Sequence, residues 1–194
     1  MLILCGKTAT GKTTVAKTLQ KLGMERVVTY TTRPAREGEI NGIDYHFVTQ
    51  EKFIELQNKD FFAETTCYSI KDGTMWYYGT PIKEFFAEPN RVLISNPSGI
   101  NQILELCLEE EILAKIFICQ LRCSDATIRM RLRKRGDDCE EIKRRVEADG
   151  RDFDGIEKFI HCSIHSCSGF MPVERLAKMI LNLYKSYIEE DENY

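Results

Sequence analysis

Near the start of the chain, Gly6-Lys7-Thr8-Ala9-Thr10-Gly11-Lys12-Thr13 matches the pattern G-x-x-x-x-G-K-[ST]. The pattern constrains the fold because it works in one setting only. A strand must turn sharply into a helix, so that successive backbone N–H groups converge on a phosphate. The flanks supply that setting. Leu2-Ile3-Leu4-Cys5 is a short, continuous apolar run of the kind that forms a buried strand. The segment from Thr14 to Leu22 places Val15, Leu19 and Leu22 on one helical face, and Gly23 follows as a stop. Strand, glycine loop and helix in this order predict a phosphate-binding P-loop at the head of an α/β fold. In such a loop Lys12 reaches the β- and γ-phosphates of a nucleotide, and the Thr13 hydroxyl ligates Mg²⁺.

The remaining bulk properties narrow the class. The chain has 194 residues, enough for one compact domain with a real core. Hydrophobic residues make up 43% and charged residues 29%, an ordinary soluble composition. The net charge of −3 argues against general nucleic-acid binding. No apolar run approaches the length of a membrane span. The first strand begins at residue 2, which leaves no room for a leader and points to the cytoplasm. The eight cysteines are then expected to be reduced. His161-Cys162-Ser163-Ile164-His165-Ser166-Cys167 gathers soft ligands, but its spacing fits no zinc pattern, and it reads as strand and loop.

Further along, Val27-Val28-Thr29-Tyr30 reads as a second strand, and residues 33 to 45 as an extended loop. Glu51 to Lys59 reads as a helix with Phe53, Ile54 and Leu56 as core candidates. Residues 61 to 80 form a hairpin pattern turning at Lys71-Asp72-Gly73-Thr74. Arg91 to Ser95 is a strand, Ser98 caps a helix to about Glu110, and Ala114 to Leu121 is another buried strand. Helices follow from Ser124 to Arg135, stopped by Gly136, and from Glu140 to Asp149. Phe159-Ile160 starts a last short strand. From Pro172 to Glu189 an amphipathic helix carries Val173, Leu176, Ile180, Leu183, Tyr184, Tyr187 and Ile188 broadly on one side. Alternating strands and helices predict a mostly parallel sheet flanked by helices. The block from 30 to 85 breaks that rhythm and reads as an inserted, mainly antiparallel region. The expected organisation is a single domain over 1–194: a core of 1–29, 86–121 and 158–194, an insertion at 30–85, and a helical lid at 122–157.

A second constellation runs from Thr29 to Val48, with Arg33, Arg36 and Tyr45 inside it. Two arginines alone read as a solvated basic loop. Beside tyrosines they also suit a phosphate dianion, because guanidinium forks and phenolic O–H groups both donate to its oxygens. Taken with Phe61-Phe62-Ala63-Glu64, with Tyr77-Tyr78-Gly79-Thr80 and with the P-loop, this stretch resembles the guanylate kinases. The resemblance covers roughly the first 80 residues, continues more weakly through Arg131, Arg135 and Arg145, and fades after about residue 150.

The resemblance implies a P-loop NTPase-like fold and Mg²⁺-dependent transfer of a phosphoryl group from ATP to GMP or dGMP. Gly6, Lys7, Thr8, Ala9, Thr10, Gly11, Lys12, Thr13 and Thr14 would bind ATP, with Thr13 as the metal ligand. Arg33, Arg36, Tyr45 and Tyr78 would hold the monophosphate. Glu64 would read guanine, with the hydroxyls of Thr29 and Thr80 nearby and Tyr77 left to packing. Lys12, Arg131, Arg135 and Arg145 would be catalytic, clamping the transferring group as a lid closes. The i,i+4 pair Glu141 and Arg145 also fits a plain salt bridge on a solvated helix.

The chain departs from the family in three places. The usual acidic run after the strand at 91–95 is replaced by Ile94-Ser95-Asn96-Pro97-Ser98-Gly99. The hairpin carries apparently extra residues from Ile70 to Met75, and no adenine-side asparagine stands around His161 to Gly169. Two other functions compete: a P-loop kinase acting on a different phosphorylated metabolite such as ribose bisphosphate, and a non-catalytic binding module. An intact Glu64 counts against the first and an intact P-loop against the second.

Overall fold

A computed structural model describes residues 1–70, 73–86, 90–109, 116–166 and 171–191. Its strands are β1 (Leu2–Cys5), β2 (Glu25–Arg26), β3 (Tyr30–Thr31), β4 (His46–Phe47), β5 (Phe62–Ser69), β6 (Met75–Pro81), β7 (Arg91–Ile94), β8 (Phe117–Arg122) and β9 (Cys162–His165). Its α-helices are α1 (Lys12–Lys21), α2 (Gln50–Gln57), α3 (Pro97–Glu109), α4 (Asp125–Lys134), α5 (Cys139–Asp152) and α6 (Val173–Asp191). Two compact units emerge. One takes in Met1–Arg26, Pro89–Pro97 and Lys115–Tyr194, the other Val27–Glu88 and Ser98–Ala114.

The first unit is built on a parallel sheet in the order β2-β7-β1-β8-β9. All four residues of β1 are buried, as a strand covered on both faces must be. Val15, Ala16 and Leu19 from α1 and Leu176, Ala177, Ile180, Leu181 and Tyr184 from α6 join Leu2, Leu4 and Cys119 in one core. Each buried valine, leucine or isoleucine there contributes about 1.5–3 kcal/mol relative to its exposed state. Helix α1 ends as its glycine predicted: Gly23 N–H donates to Gln20 C=O and Met24 N–H to Leu19 C=O, the paired bonds of a Schellman cap. Helices α4 and α5 begin on Ser124 and Asp138, whose side chains accept the first free N–H groups.

The second unit holds a mainly antiparallel sheet in the order β4-β3-β6-β5, in which β3 and β4 alone run parallel. Phe53 of α2 stacks on Phe62 at 4.6 Å and packs on Tyr77 at 5.6 Å. Tyr77 is thus a packing residue.

Several local expectations need correction. The run from Val27 to Tyr30 is not one strand: Glu25–Arg26 pairs with β7, while Tyr30–Thr31 pairs with β4 and β6. Apolar, β-branched sequence marks extended chain but not its partner. Ile54 is exposed (42%), because so short a helix buries Phe53 and little else. Leu183 is also exposed (42%), at the edge of the α6 face centred on Leu176, Ile180 and Tyr184. Helix α3 begins at Pro97, not after Ser98, since proline suits a first helical position. Phe159 lies in a 3-10 turn, and the last strand starts at Cys162. The predicted turn residues Lys71 and Asp72, and Cys167 of the soft-ligand cluster, lie outside the described residues. So do Ala114 and Glu110 at the expected element ends. Among the described residues no group of three or more His, Cys, Asp or Glu is placed to hold a metal ion. No described helix is long and apolar enough to cross a membrane.

Candidate active site

The P-loop is shaped by backbone that only small residues allow. Gly6 has φ 142°, and a Cβ built there would stand 2.3 Å from the Leu121 carbonyl oxygen. Gly11, at φ 101°, starts α1 without any side-chain cap. The first-turn N–H groups of α1 therefore have no side-chain acceptor, which leaves them suited to an anion. Thr13 and Thr14, in that first turn, are exposed.

Lys12 points its ammonium back along the loop and donates to Gly6 C=O at 2.5 Å and Lys7 C=O at 2.9 Å. Burial lowers its pKa from 10.5 to about 8, with Asp149 and Cys5 opposing the fall and Arg135 adding to it. The loop already holds one anion. Asp149 of α5 accepts the Thr8 N–H at 2.7 Å, and burial raises its carboxyl pKa against the opposing pull of that N–H and of Lys12.

Arg131 braces the loop from outside. It donates to Ala9 C=O at 2.8 Å, to Ser166 C=O at 3.0 Å and to Cys123 Sγ at 3.4 Å. Ser166 Oγ in turn donates to Thr10 C=O at 2.6 Å. Ala9 takes φ 55°, a strained value for a residue with a side chain, and these bonds hold its flank. Arg145 faces its own helix instead, donating to Glu141 at 2.7 Å with Asp137 at 3.8 Å. Arg135, exposed at the α4 C-terminus, reaches the loop as a charge near Lys12. A cavity of about 290 Å³ opens beside the loop, lined in part by Lys7, Thr10, Arg122, Cys123 and Phe153.

The second unit gathers the other predicted residues. Arg33 is 4% exposed and meets both Glu39 oxygens at 2.9 Å. Burial works against its charge, but the Glu39 bonds and the neighbouring Tyr78 and Tyr45 more than offset this, so its pKa is raised. Its guanidinium lies 5.4 Å from the Tyr45 ring centroid and 5.8 Å from that of Phe47. Tyr45 and Tyr78 sit edge to face at 6.2 Å. Arg36 is exposed and fixed through its backbone N–H, which donates to Glu39 at 2.8 Å. Thr29 lends its carbonyl to His46 N–H.

Glu64 is 7% exposed, on the inner side of β5. Thr80 Oγ1 donates to one of its oxygens at 2.5 Å and Thr66 Oγ1 to the other at 3.4 Å. Burial pushes its pKa up, and the two hydroxyls pull it back. The second unit thus carries two buried charged side chains, Arg33 and Glu64, and two phenols, groups able to pair with an anion and with adjacent N–H donors. Sequence reading missed Glu39, Gln102 and Asp149. Glu39 was findable, because it stands three residues from Arg36 in a charged loop. Nothing local marks the other two.

Comparison with known proteins decides the family. A family model described as guanylate kinase matches residues 1–161. This chain belongs to the guanylate kinase family. Among its relatives is a guanylate kinase of Wolbachia pipientis wMel, 33% identical over 200 residues that cover 92% of each chain. A guanylate kinase of Nitratidesulfovibrio vulgaris is 44% identical over a shorter stretch of 85 residues, 43% of this chain and 39% of that protein. The fold matches the crystal structure of guanylate kinase from Anaplasma phagocytophilum with a TM-score of 0.67 and 22% identity, over 96% of this chain and 84% of that one. Family membership gives the whole P-loop and the Thr29–Val48 stretch a common context as an ATP-using kinase.

Proposed function

We propose that the chain transfers the γ-phosphoryl group of ATP to GMP, and also to dGMP, giving ADP and the nucleoside diphosphate. The observation that carries this is Glu64, a buried carboxylate with both oxygens oriented by hydroxyls, in the same compact unit as the Arg33, Tyr45 and Tyr78 cluster. Guanine presents N1–H and N2–H₂ side by side, and a carboxylate accepts both. Adenine offers a lone pair at N1, which would face another lone pair, and such mismatches between buried polar groups discriminate strongly. Bonding to guanine also favours the ionised form of Glu64, against the burial that raises its pKa.

Arg33, Arg36, Tyr45 and Tyr78 then receive the acceptor phosphate. Arg33 exchanges Glu39 for that dianion or shares itself between the two. Thr80 acts by holding Glu64, with Thr29 at the margin. On the donor side, the N–H groups from Thr8 to Thr14 cradle the phosphates and Lys12 reaches their outer oxygens. Phosphoryl transfer needs donor and acceptor in line, with fixed positive charge around the equatorial oxygens. Lys12, Arg131, Arg135 and Arg145 supply that charge. Arg145 leaves Glu141 to do so.

The residues present fit Mg²⁺ in a limited way. The exposed Thr13 hydroxyl, next to Lys12 in the first helical turn, is a hard oxygen donor suited to that ion. Thr13 would hold it together with phosphate oxygens, and the ion would neutralise charge building on the phosphates. Organisation into core, acceptor-binding insertion at 30–85 and lid at 122–157 belongs to this reading. Neither the sugar-phosphate kinase nor the binding module has an observation in its favour, since both leave Glu64 without a task.

The test is ADP release with GMP, dGMP, AMP, UMP, CMP, dTMP and ribose bisphosphate as acceptors. Turnover with GMP and dGMP alone is the expected result. Equal turnover with AMP, or ADP release with ribose bisphosphate only, overturns it.

A further inference from the structure

Glu64 stands on a strand that has a partner in its sheet on one side only. Its strand, β5, lies at one end of the second unit's sheet, and the register between β5 and β6 shifts between Phe62 and Glu64. A bulge of this kind leaves one residue outside the ladder and re-aims its neighbours. A group that must read a base needs its geometry held to within about 0.5 Å. β6 supplies part of that through Thr80, and a group on the other side of β5 must supply the rest.

Gln102, on α3, does so. Its Oε1 accepts the Thr65 N–H at 3.0 Å, and its Nε2 donates to the Thr65 C=O at 3.0 Å. One carboxamide thereby makes both bonds that a neighbouring strand would make at that residue. The complementary pair fixes which end of the amide is oxygen. Nε2 also lies 3.3 Å from Ser98 C=O and from Ser98 Oγ, one turn back on the same helix. Thr65 is tied to α3 on one side and faces Gly79 of β6 on the other. On either side of Thr65 in sequence stand Glu64 and Thr66, the carboxylate and one of the hydroxyls that orients it.

We propose that Gln102 is a positioning residue for base recognition: by clamping the Thr65 peptide to α3 it sets the pose of Glu64 and Thr66. The proposal rests on the reading of Glu64 as the guanine contact. Gln102 touches neither substrate. Its effect falls on acceptor selection and not on the donor half of the reaction.

Three variants test it: Gln102→Ala, the isosteric Gln102→Glu, and Glu64→Gln as reference. Steady-state kinetics give kcat and KM for GMP, AMP and ATP, and hydrogen exchange reads the Thr65 amide. Gln102→Ala is expected to raise KM for GMP about ten-fold and to lower the GMP-to-AMP preference, the scale of losing two neutral hydrogen bonds. KM for ATP stays put and the Thr65 amide exchanges faster. Gln102→Glu keeps the acceptor for Thr65 N–H but turns a carboxylate oxygen against the Thr65 C=O, so its loss is at least that of alanine. It also decides the matter if the alanine variant does not fold. Faster exchange at Thr65 with KM for GMP unchanged would make Gln102 a packing residue only, and a parallel rise in KM for GMP and ATP would do the same. If Glu64→Gln itself leaves the GMP-to-AMP preference intact, the reading of Glu64 fails, and that result is separate from any on Gln102.

Discussion

Lys12 donates to two carbonyls of its own loop while burial lowers its pKa to about 8. The sign of the pH effect follows from that depression. Between about 8 and 10.5 the unfolded chain holds the Lys12 proton and the folded chain does not. Stability of the unliganded protein therefore gains from Lys12 as pH rises through that window, and the charged form is a burden below it. Nucleotide binding runs the other way, because the phosphates require the ammonium. ATP affinity measured by calorimetry is expected to fall as pH passes upward through about 8, with proton uptake on binding at the higher values. An affinity that stays flat across the window would show that Lys12 is not the group meeting the phosphates. Asp149 bears on the same measurement, since a phosphate approaching Thr8 N–H meets a carboxylate already there.

At the scale of elements, the P-loop is welded to its surroundings by backbone as much as by side chains. Gly6→Ala puts a Cβ into the Leu121 carbonyl on β8 and forces alanine to φ 142°. Neither atom can yield without moving β1 against β8. The substitution is expected to cost on the order of 3 kcal/mol, read as a lower urea midpoint with an unchanged slope. A midpoint equal to wild type would mean that the strand carries no such contact. These contacts also mark what sequence could and could not give. The strand, loop and helix of residues 2 to 22 were legible because each depends on neighbours in the chain: apolar run, glycines, helical spacing, terminal Gly23. The i,i+4 spacing of Glu141 and Arg145 was legible for the same reason, and their ion pair is present. The run from Val27 to Tyr30 was misread because strand propensity names no partner, and of these four residues only Tyr30 finds one in a sheet.

Over the whole molecule, contacts made far along the chain account for two of the residues that were missed. Asp149 reaches Thr8 across 141 positions and Gln102 reaches Thr65 across 37. No periodicity or motif connects such residues. Each predicted site lies within a single compact unit, which gives a prediction at this scale. GMP alone is expected to slow amide exchange around Arg33, Tyr45, Glu64 and Tyr78, and a non-hydrolysable ATP analogue with Mg²⁺ to slow it from Gly6 to Thr14. Identical footprints from the two ligands would refute the division of sites. The clamp on Thr65 has one more consequence, for the protein in concentrated solution. A long strand at the end of a sheet is a template on which a second copy can align and aggregate. Gln102 takes up the outward pairing groups of Thr65, in the middle of β5, and so interrupts the open edge on which another strand would align. One glutamine on a helix thus stands in the place of a further strand at Thr65.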